Sequence, residues 1–284
     1  MFKWDGSLVQ EIAERRVVFF VGAGFSKIAR PEFPTWSALL MSLAASLPKR
    51  VDQALVKKMV DKQRMLDAAQ IITAGCTKPQ INAILRATFQ PRPVPYNPIY
   101  ESLLQMDPKT VITTNYDEFL EKNFEHYSGG QAIHNIARPS GGSNLLNDLR
   151  SPVRSIVKMH GCITEQDNIV LDRQSYFAIR QKNQGLFQTI TALVTVHTVV
   201  FVGYSLSDPD IQLILENVNL FNGAQHPHYA LMQKPEHTAL KEVMKNTYNV
   251  EIVEYPAGNH AVVPSAISDL AEQVLAHRSS TGIA

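Results

Sequence analysis

The chain has 284 residues, enough for one large domain or a domain carrying a sizeable insertion. Hydrophobic residues make up 45% of it, and 27 basic against 26 acidic side chains leave a formal net charge of +1, with no long block of either sign. That balance argues against a nucleic-acid scaffold built on bulk positive charge, and no apolar run approaches the roughly 20 residues that a membrane-crossing helix needs.

Residues 5–16 read as an opening helix, with Leu8, Ile12 and Ala13 on one side. VVFFV (17–21) is a short apolar run rich in β-branched and aromatic residues, the pattern of a strand covered on both faces. From residue 36 to 89 the period becomes helical, broken by Pro48, Gly75 and Pro79. The span 36–98 is therefore expected to be a helical insertion, closed by the proline-rich return passage PRPVPYNP. Strand and helix patterns then alternate. VITTNYD leads into the helix DEFLEKNFEHY, and QAIHNI reads as a strand before the loop-rich RPSGGSNLLNDLRSP. IVKMHG is a further strand, followed by the helical stretch 175–197, the strand TVVFVGYS and the helix DPDIQLILENVNLF. HYALMQ, EHTALKEVMKNTY, VEIVEYP and a closing helix complete the alternation, with SSTGIA as a frayed tail. Such alternation predicts an α/β fold: a Rossmann-like parallel sheet flanked by helices, in a single catalytic domain over 1–284 that contains the helical insertion.

In a parallel sheet, ligands bind beyond the carboxyl ends of the strands, and four strand ends here run directly into small and polar residues. Gly22 and Gly24, with Ala23 between them and Ser26 beyond, could bring main chain close to a phosphate at a helix start. A Gly-X-Gly without its third glycine fits equally a tight strand-to-helix connection with no ligand. Thr114 and Asn115 follow the second strand; the uncharged amide suits a ribose hydroxyl or an attacking water, while Asp117 suits helix capping as well as catalysis. His160 ends another strand, where an imidazole could exchange protons near neutral pH. Gly203 and Ser205 open a fourth turn, and Asp208 reads as the cap of the following helix. His260, in YPAGNH, is the nearest competing histidine, and an ordinary loop explains it.

This ordered set, Gly22-Ala23-Gly24 with Ser26, Thr113-Thr114-Asn115-Tyr116-Asp117, His160-Gly161 and Gly203-Tyr204-Ser205, resembles the sirtuin family, in particular its bacterial NAD-hydrolysing branch. The resemblance implies that the glycine loop holds the pyrophosphate of NAD, that Asn115 contacts the nicotinamide ribose and the reacting water, and that His160 is the general base. Thr114, Asp117, Gly203 and Ser205 complete the NAD-binding set. Deacylating sirtuins carry a four-cysteine zinc module after the histidine. Cys76 and Cys162 are the only cysteines here, so no metal is expected and a protein-substrate groove is disfavoured. The implied activity is NAD glycohydrolysis, releasing nicotinamide and ADP-ribose, as a regulated NAD-depleting effector of anti-phage defence. The alternatives are an NAD-dependent protein deacylase and a non-catalytic module that senses NAD or ADP-ribose. Unchecked NAD loss harms the host, so the resemblance also implies a companion sensor protein or a homo-oligomeric switch, with no direct nucleic-acid contact. The charged, amphipathic amino terminus lacks the apolar core of a signal peptide, and two unrelated cysteines fit a reducing compartment, so a cytoplasmic location is expected.

Overall fold

The computed structural model describes residues 2–131, 133–139, 145–222 and 226–283. Its centre is a seven-stranded, all-parallel sheet. In chain order the strands are β1 (Val17–Val21), β2 (Thr110–Thr113), β3 (His134–Ala137), β4 (Arg154–Lys158), β5 (Thr198–Val202), β6 (His228–Gln233) and β7 (Val250–Tyr255). They lie side by side as β3-β4-β2-β1-β5-β6-β7. From β1 the chain passes to β2, out to the edge strand β3 and back to β4 between them; it then returns to β5 beside β1 and builds outward through β6 and β7. The reversal falls between β1 and β5, which makes that edge the expected ligand crevice of an open parallel sheet.

Fourteen helices surround the sheet among the described residues: α1 (Gly6–Ala13), α2 (Ala23–Ala29), α3 (Trp36–Ala44), α4 (Arg50–Asp61), α5 (Met65–Gly75), α6 (Lys78–Phe89), α7 (Pro98–Gln105), α8 (Phe119–Tyr127), α9 (Leu145–Arg150), α10 (Arg173–Lys182), α11 (Gln184–Val196), α12 (Pro209–Asn222), α13 (Ala239–Tyr248) and α14 (Val262–Thr281). Alternation along the strands sorts the core into two layers. Val17, Phe19 and Val21 face a cluster formed with α1, α7, α8 and α14. Val18 and Phe20 face a second cluster with α11 and α12. Every residue of β1 and β5 is buried, as a doubly covered strand requires.

A third cluster lies apart from the sheet. Leu39, Leu40, Leu43, Val56, Ala69, Ile72 and Leu85 of α3–α6 pack together, and Cys162, Ile163 and Leu171 of the segment after β4 join them. The caps are chemically ordinary: Thr77 and Gln80 form a reciprocal box at the start of α6, and Asp5 accepts from the Ser7 and Leu8 amides at 2.8 and 3.4 Å to start α1.

Three segments differ from the sequence reading. The excursion 138–152 contains α9, because Leu145 and Leu149 reach the second core cluster; residues 140–144 lie outside the described residues. Helix α7 follows directly on the proline-rich passage, started by Asn97, whose Oδ1 accepts the Ile99 amide at 3.1 Å. The expected frayed tail is helical to Thr281, since Arg278 reaches inward and donates to the carbonyls of Ala13, Ile12 and Met106 at 3.0, 3.2 and 3.0 Å. No helix among the described residues is long and apolar enough to cross a membrane.

Candidate functional site

Register places the four polar strand ends side by side. Val21 pairs with Thr113 and with Val202, and Thr113 pairs with Lys158. Asn115 and His160 therefore each stand two residues beyond a matched pair on adjacent strands. The Met159 amide, donating to the Thr113 carbonyl at 2.9 Å, carries the pairing past the end of the ladder. Beyond that point the two segments stay tied. Ile163 donates its amide to the Tyr116 carbonyl at 2.8 Å, and the Tyr116 hydroxyl donates to the Val170 carbonyl at 2.6 Å. The Val170 amide returns to the His160 carbonyl at 2.9 Å.

Around Asn115 the polar groups form one bonded chain. Its Nδ2 donates to the Gly22 carbonyl at 2.9 Å and to Ser26 Oγ at 3.0 Å. The Ser26 hydroxyl in turn donates to Asp117 Oδ2 at 2.8 Å, while Asp117 Oδ1 accepts the Phe119 amide at 3.0 Å. Asp117 thus both accepts the first amide of α8 and anchors Ser26. A carbonyl such as that of Gly22 can only accept, so the amide orientation of Asn115 is chemically fixed. Both amide hydrogens are used, and Oδ1 is left to accept from a hydroxyl or a water. Below this chain, the buried Lys158 ammonium meets the Asp117 carbonyl and Glu121 Oε1, the latter at 3.0 Å. Burial pushes the Asp117 carboxyl above its ordinary pKa, and Lys158 opposes the shift. Burial pulls Lys158 the other way, but Glu121 and its neighbours carry it above the usual lysine value.

The glycines of the first turn have a cause within the protein itself. A Cβ on Gly22 would stand 2.5 Å from the Gly203 carbonyl oxygen, and one on Gly203 would stand 2.3 Å from the Phe25 nitrogen. Gly203 also has φ +62, a conformation side chains disfavour. The turns after β1 and β5 are pressed backbone to backbone, with the Gly24 amide donating to the Gly203 carbonyl at 2.8 Å. Ala23 is exposed at the start of α2, and Ser205 is exposed with its hydroxyl 2.6 Å from that of Ser207. Thr114 is half-buried beside Asn115.

His160 keeps different company. Only 4% exposed, it packs against the Tyr176 ring at 4.9 Å between centroids. Tyr176 OH lies 3.5 Å from Nδ1, and Asp208 Oδ2 lies 3.4 Å from Nε2. Burial holds the imidazole below its usual pKa, with the Asp208 charge acting against that shift. Asp208 does cap α12, as its position suggests, since its Oδ1 accepts the Asp210 amide at 2.9 Å. Its contact with the histidine, and the whole contribution of Tyr176, were not visible in the sequence. Tyr176 sits on a helix of its own, and capping already accounts for Asp208. One side-chain nitrogen or oxygen each from His160, Asp208 and Asp210 lie within 4.8 Å of one another, a spacing a cation could bridge. The Arg180 guanidinium, however, is already paired with Asp210 Oδ1, and the Tyr176 hydroxyl donates to Asp208 Oδ2 at 2.8 Å. His260 stands beyond β7 at the sheet's far edge, its Nδ1 2.9 Å from the Tyr255 hydroxyl.

Residues 109–253, just over half of the chain, match the family model described as SIR2-like domain. The match takes in Asn115, His160 and Gly203 and begins after the first glycine turn. Among curated proteins, the chain is 28% identical over 221 residues to "Defense-associated sirtuin 2" of Bacillus subtilis, covering 73% of this chain and 20% of that protein. It is 24% identical over 233 residues to "NAD(+) hydrolase ThsA" of Bacillus cereus (strain MSX-D12), covering 80% of this chain and 45% of that one. A protein of the same name from Cytobacillus dafuensis is 25% identical over 242 residues, covering 85% and 44%. The chain thus spans less than half the length of these curated relatives.

Proposed function

Because the chain belongs to the SIR2-like domain family, we propose that its strand-end site binds NAD and hydrolyses the nicotinamide–ribose bond, releasing nicotinamide and ADP-ribose. The observation that carries this reading is the fixed amide of Asn115. Its two hydrogens are spent on Gly22 and Ser26, so an acceptor oxygen is presented beside the strand end that bears His160. Two of the relatives are named NAD(+) hydrolase, which supports the choice of substrate.

In this reading the turn at Gly22, Ala23 and Gly24, with Gly203 and Ser205 alongside, receives the dinucleotide, and Thr114 and Asp117 line the ribose side. The bond to nicotinamide ionises through an oxocarbenium-like transition state, in which the ring oxygen shares the positive charge. Asn115 Oδ1 accepts from the attacking water or a ribose hydroxyl and so fixes its position. His160, neutral at physiological pH because of its burial, takes a proton from that water. Holding the reactants together contributes on the order of 7 kcal/mol to lowering the barrier, and base assistance adds roughly 10²–10⁴-fold.

The protein acts as a cytoplasmic NAD-depleting effector in anti-phage defence, without a metal, and is held in check by a companion sensor or by assembly of its own copies. The name of the Bacillus subtilis relative supports the setting. The test is nicotinamide release from NAD by the purified chain, alone and with its genomic neighbour's product. Asn115→Ala and His160→Ala should each remove turnover with the fold intact by circular dichroism. Nicotinamide release at the wild-type rate from either variant overturns the assignment. Formation of acetylated ADP-ribose from NAD and an acylated peptide would mark a deacylase instead.

A further inference from the structure

A separate cleft of about 320 Å³ lies at the amino ends of β5 and β6, the end of the sheet opposite the strand ends that lead to Asn115 and His160. That volume falls at the lower end of the roughly 300–1,000 Å³ typical of small-molecule sites. Thr198 and His228, the first residues of the two strands, both line it. His228 is 4% exposed, and its Nδ1 accepts the Val199 amide at 3.1 Å. A backbone N–H can only donate, so the hydrogen of the neutral ring sits on Nε2. Burial alone, with no neighbouring charge, lowers the pKa to about 4, so the ring is neutral at physiological pH. The described residues offer Nε2–H no acceptor. A buried donor of this kind is costly unless something else accepts from it. Asn219 supplies the complementary group. Its Nδ2 donates to the Asn246 and Thr247 carbonyls at 2.8 and 3.1 Å, so both hydrogens are spent and Oδ1 can only accept. No lysine or arginine lines the cleft, and its one carboxylate, Glu11, is bound by Arg16 at 3.0 and 2.6 Å. The other histidines there are His197, with Nδ1 3.2 Å from the Leu193 carbonyl, and the exposed His226.

We propose that this cleft is a second ligand site, for an uncharged planar heterocycle whose edge carries an acceptor beside an amino group, as adenine and nicotinamide both do. The acceptor takes the His228 Nε2 hydrogen, and the amino group donates to Asn219 Oδ1. Val194, Val218 and the Tyr248 ring supply the apolar part of the lining against which the heterocycle packs. The Thr198 hydroxyl, on a residue 3% exposed and without a partner among the described residues, can give or take one further bond. A phosphate finds no lysine or arginine here, so recognition falls on the neutral edge and not on a charged group. No residue of the strand-end site takes part.

Adenosine and nicotinamide, added separately to the purified chain carrying isotope-labelled histidine, are the probes. Ring-nitrogen NMR gives the readout, with the His228 and His160 signals identified by their loss in His228→Asn and His160→Ala. Binding in the cleft should shift the His228 Nε2–H signal in a saturable way. Thr195→Trp sets a bulky ring into the cleft from an exposed position on α11, and Asn219→Ala removes the acceptor. Each should raise the probe concentration at half-shift by about tenfold. A response to adenosine alone assigns the site to a nucleobase, one to nicotinamide alone assigns it to the carboxamide, and a response to both assigns it to the edge they share. A still His228 signal with both probes overturns the proposal, whether or not His160 moves. So does a His228 shift of undiminished affinity in both variants. Nicotinamide release plays no part in the readout, so the cleft stands or falls separately from the hydrolase reading.

Discussion

In the proposed reaction Asn115 must keep its amide from turning, and Ser26 holds it together with the Gly22 carbonyl. The serine accepts from Asn115 Nδ2 and donates to the buried Asp117 carboxylate, so it transmits the rigidity of the start of α8 to the amide. Ser26→Ala should therefore act twice. It leaves Asp117, 5% exposed, one hydrogen bond short, which costs on the order of 1–3 kcal/mol of stability in a urea titration. It should also lower kcat for nicotinamide release more than it raises KM, because a loosened amide affects orientation before affinity. A variant with full kcat and unchanged stability would show that Gly22 alone fixes the amide. The placement of Asn115, Asp117 and His160 just past strand ends was legible in the sequence because each follows an apolar strand. Tyr176 was not, because a tyrosine on an amphipathic helix looks like packing until the helix is placed over the histidine.

At the scale of elements, the strands were the most readable part, since β1 and β5 are buried throughout and their apolar runs have no other explanation. The short helices were the least readable. α9 is six residues long with one fully buried side chain, too little to display a period. The join between β5 and β6 carries a titration the sequence could not reveal. His228 is 4% exposed, and its Nδ1 accepts the Val199 amide at 3.1 Å. Burial lowers its pKa from 6.5 to about 4, so between those values the unfolded chain binds a proton that the folded chain refuses. Stability from this group is complete above pH 6.5 and is lost as the pH falls toward about 4, amounting to about 3 kcal/mol. His228→Asn keeps an acceptor near the Nδ1 position and does not titrate. Denaturant midpoints measured at several pH values should fall less steeply for the variant than for the wild type across this window. Parallel curves would locate the acid sensitivity elsewhere.

Across the whole molecule, the α3–α6 cluster meets the sheet next to His160. The segment after His160 buries Cys162, Ile163 and Leu171 in the subdomain's core. On the other side, α5 grips the start of α10: Gln70 Oε1 accepts the Gln174 amide at 3.0 Å, and the Thr73 hydroxyl donates to Asp172 Oδ2 at 2.5 Å. Asp172 is the residue that caps α10, and α10 carries Tyr176 to the histidine. A path of bonded groups thus runs from α5 through the α10 cap to the imidazole. Thr73→Val removes the hydroxyl at nearly constant volume and leaves Asp172, 8% exposed, with its amide bond only. The variant should lose about 1 kcal/mol of stability and show a lower kcat, although Thr73 touches no candidate site residue. Asp67→Ala offers the contrast, for it breaks ion pairs with Arg64 and Arg173 whose arginines are 58% exposed, and such pairs contribute little. Equal effects of the two substitutions on kcat would mean that the subdomain supports α10 only through general stability. A kcat loss confined to Thr73→Val would make the α10 cap the mechanical link between the subdomain and the base.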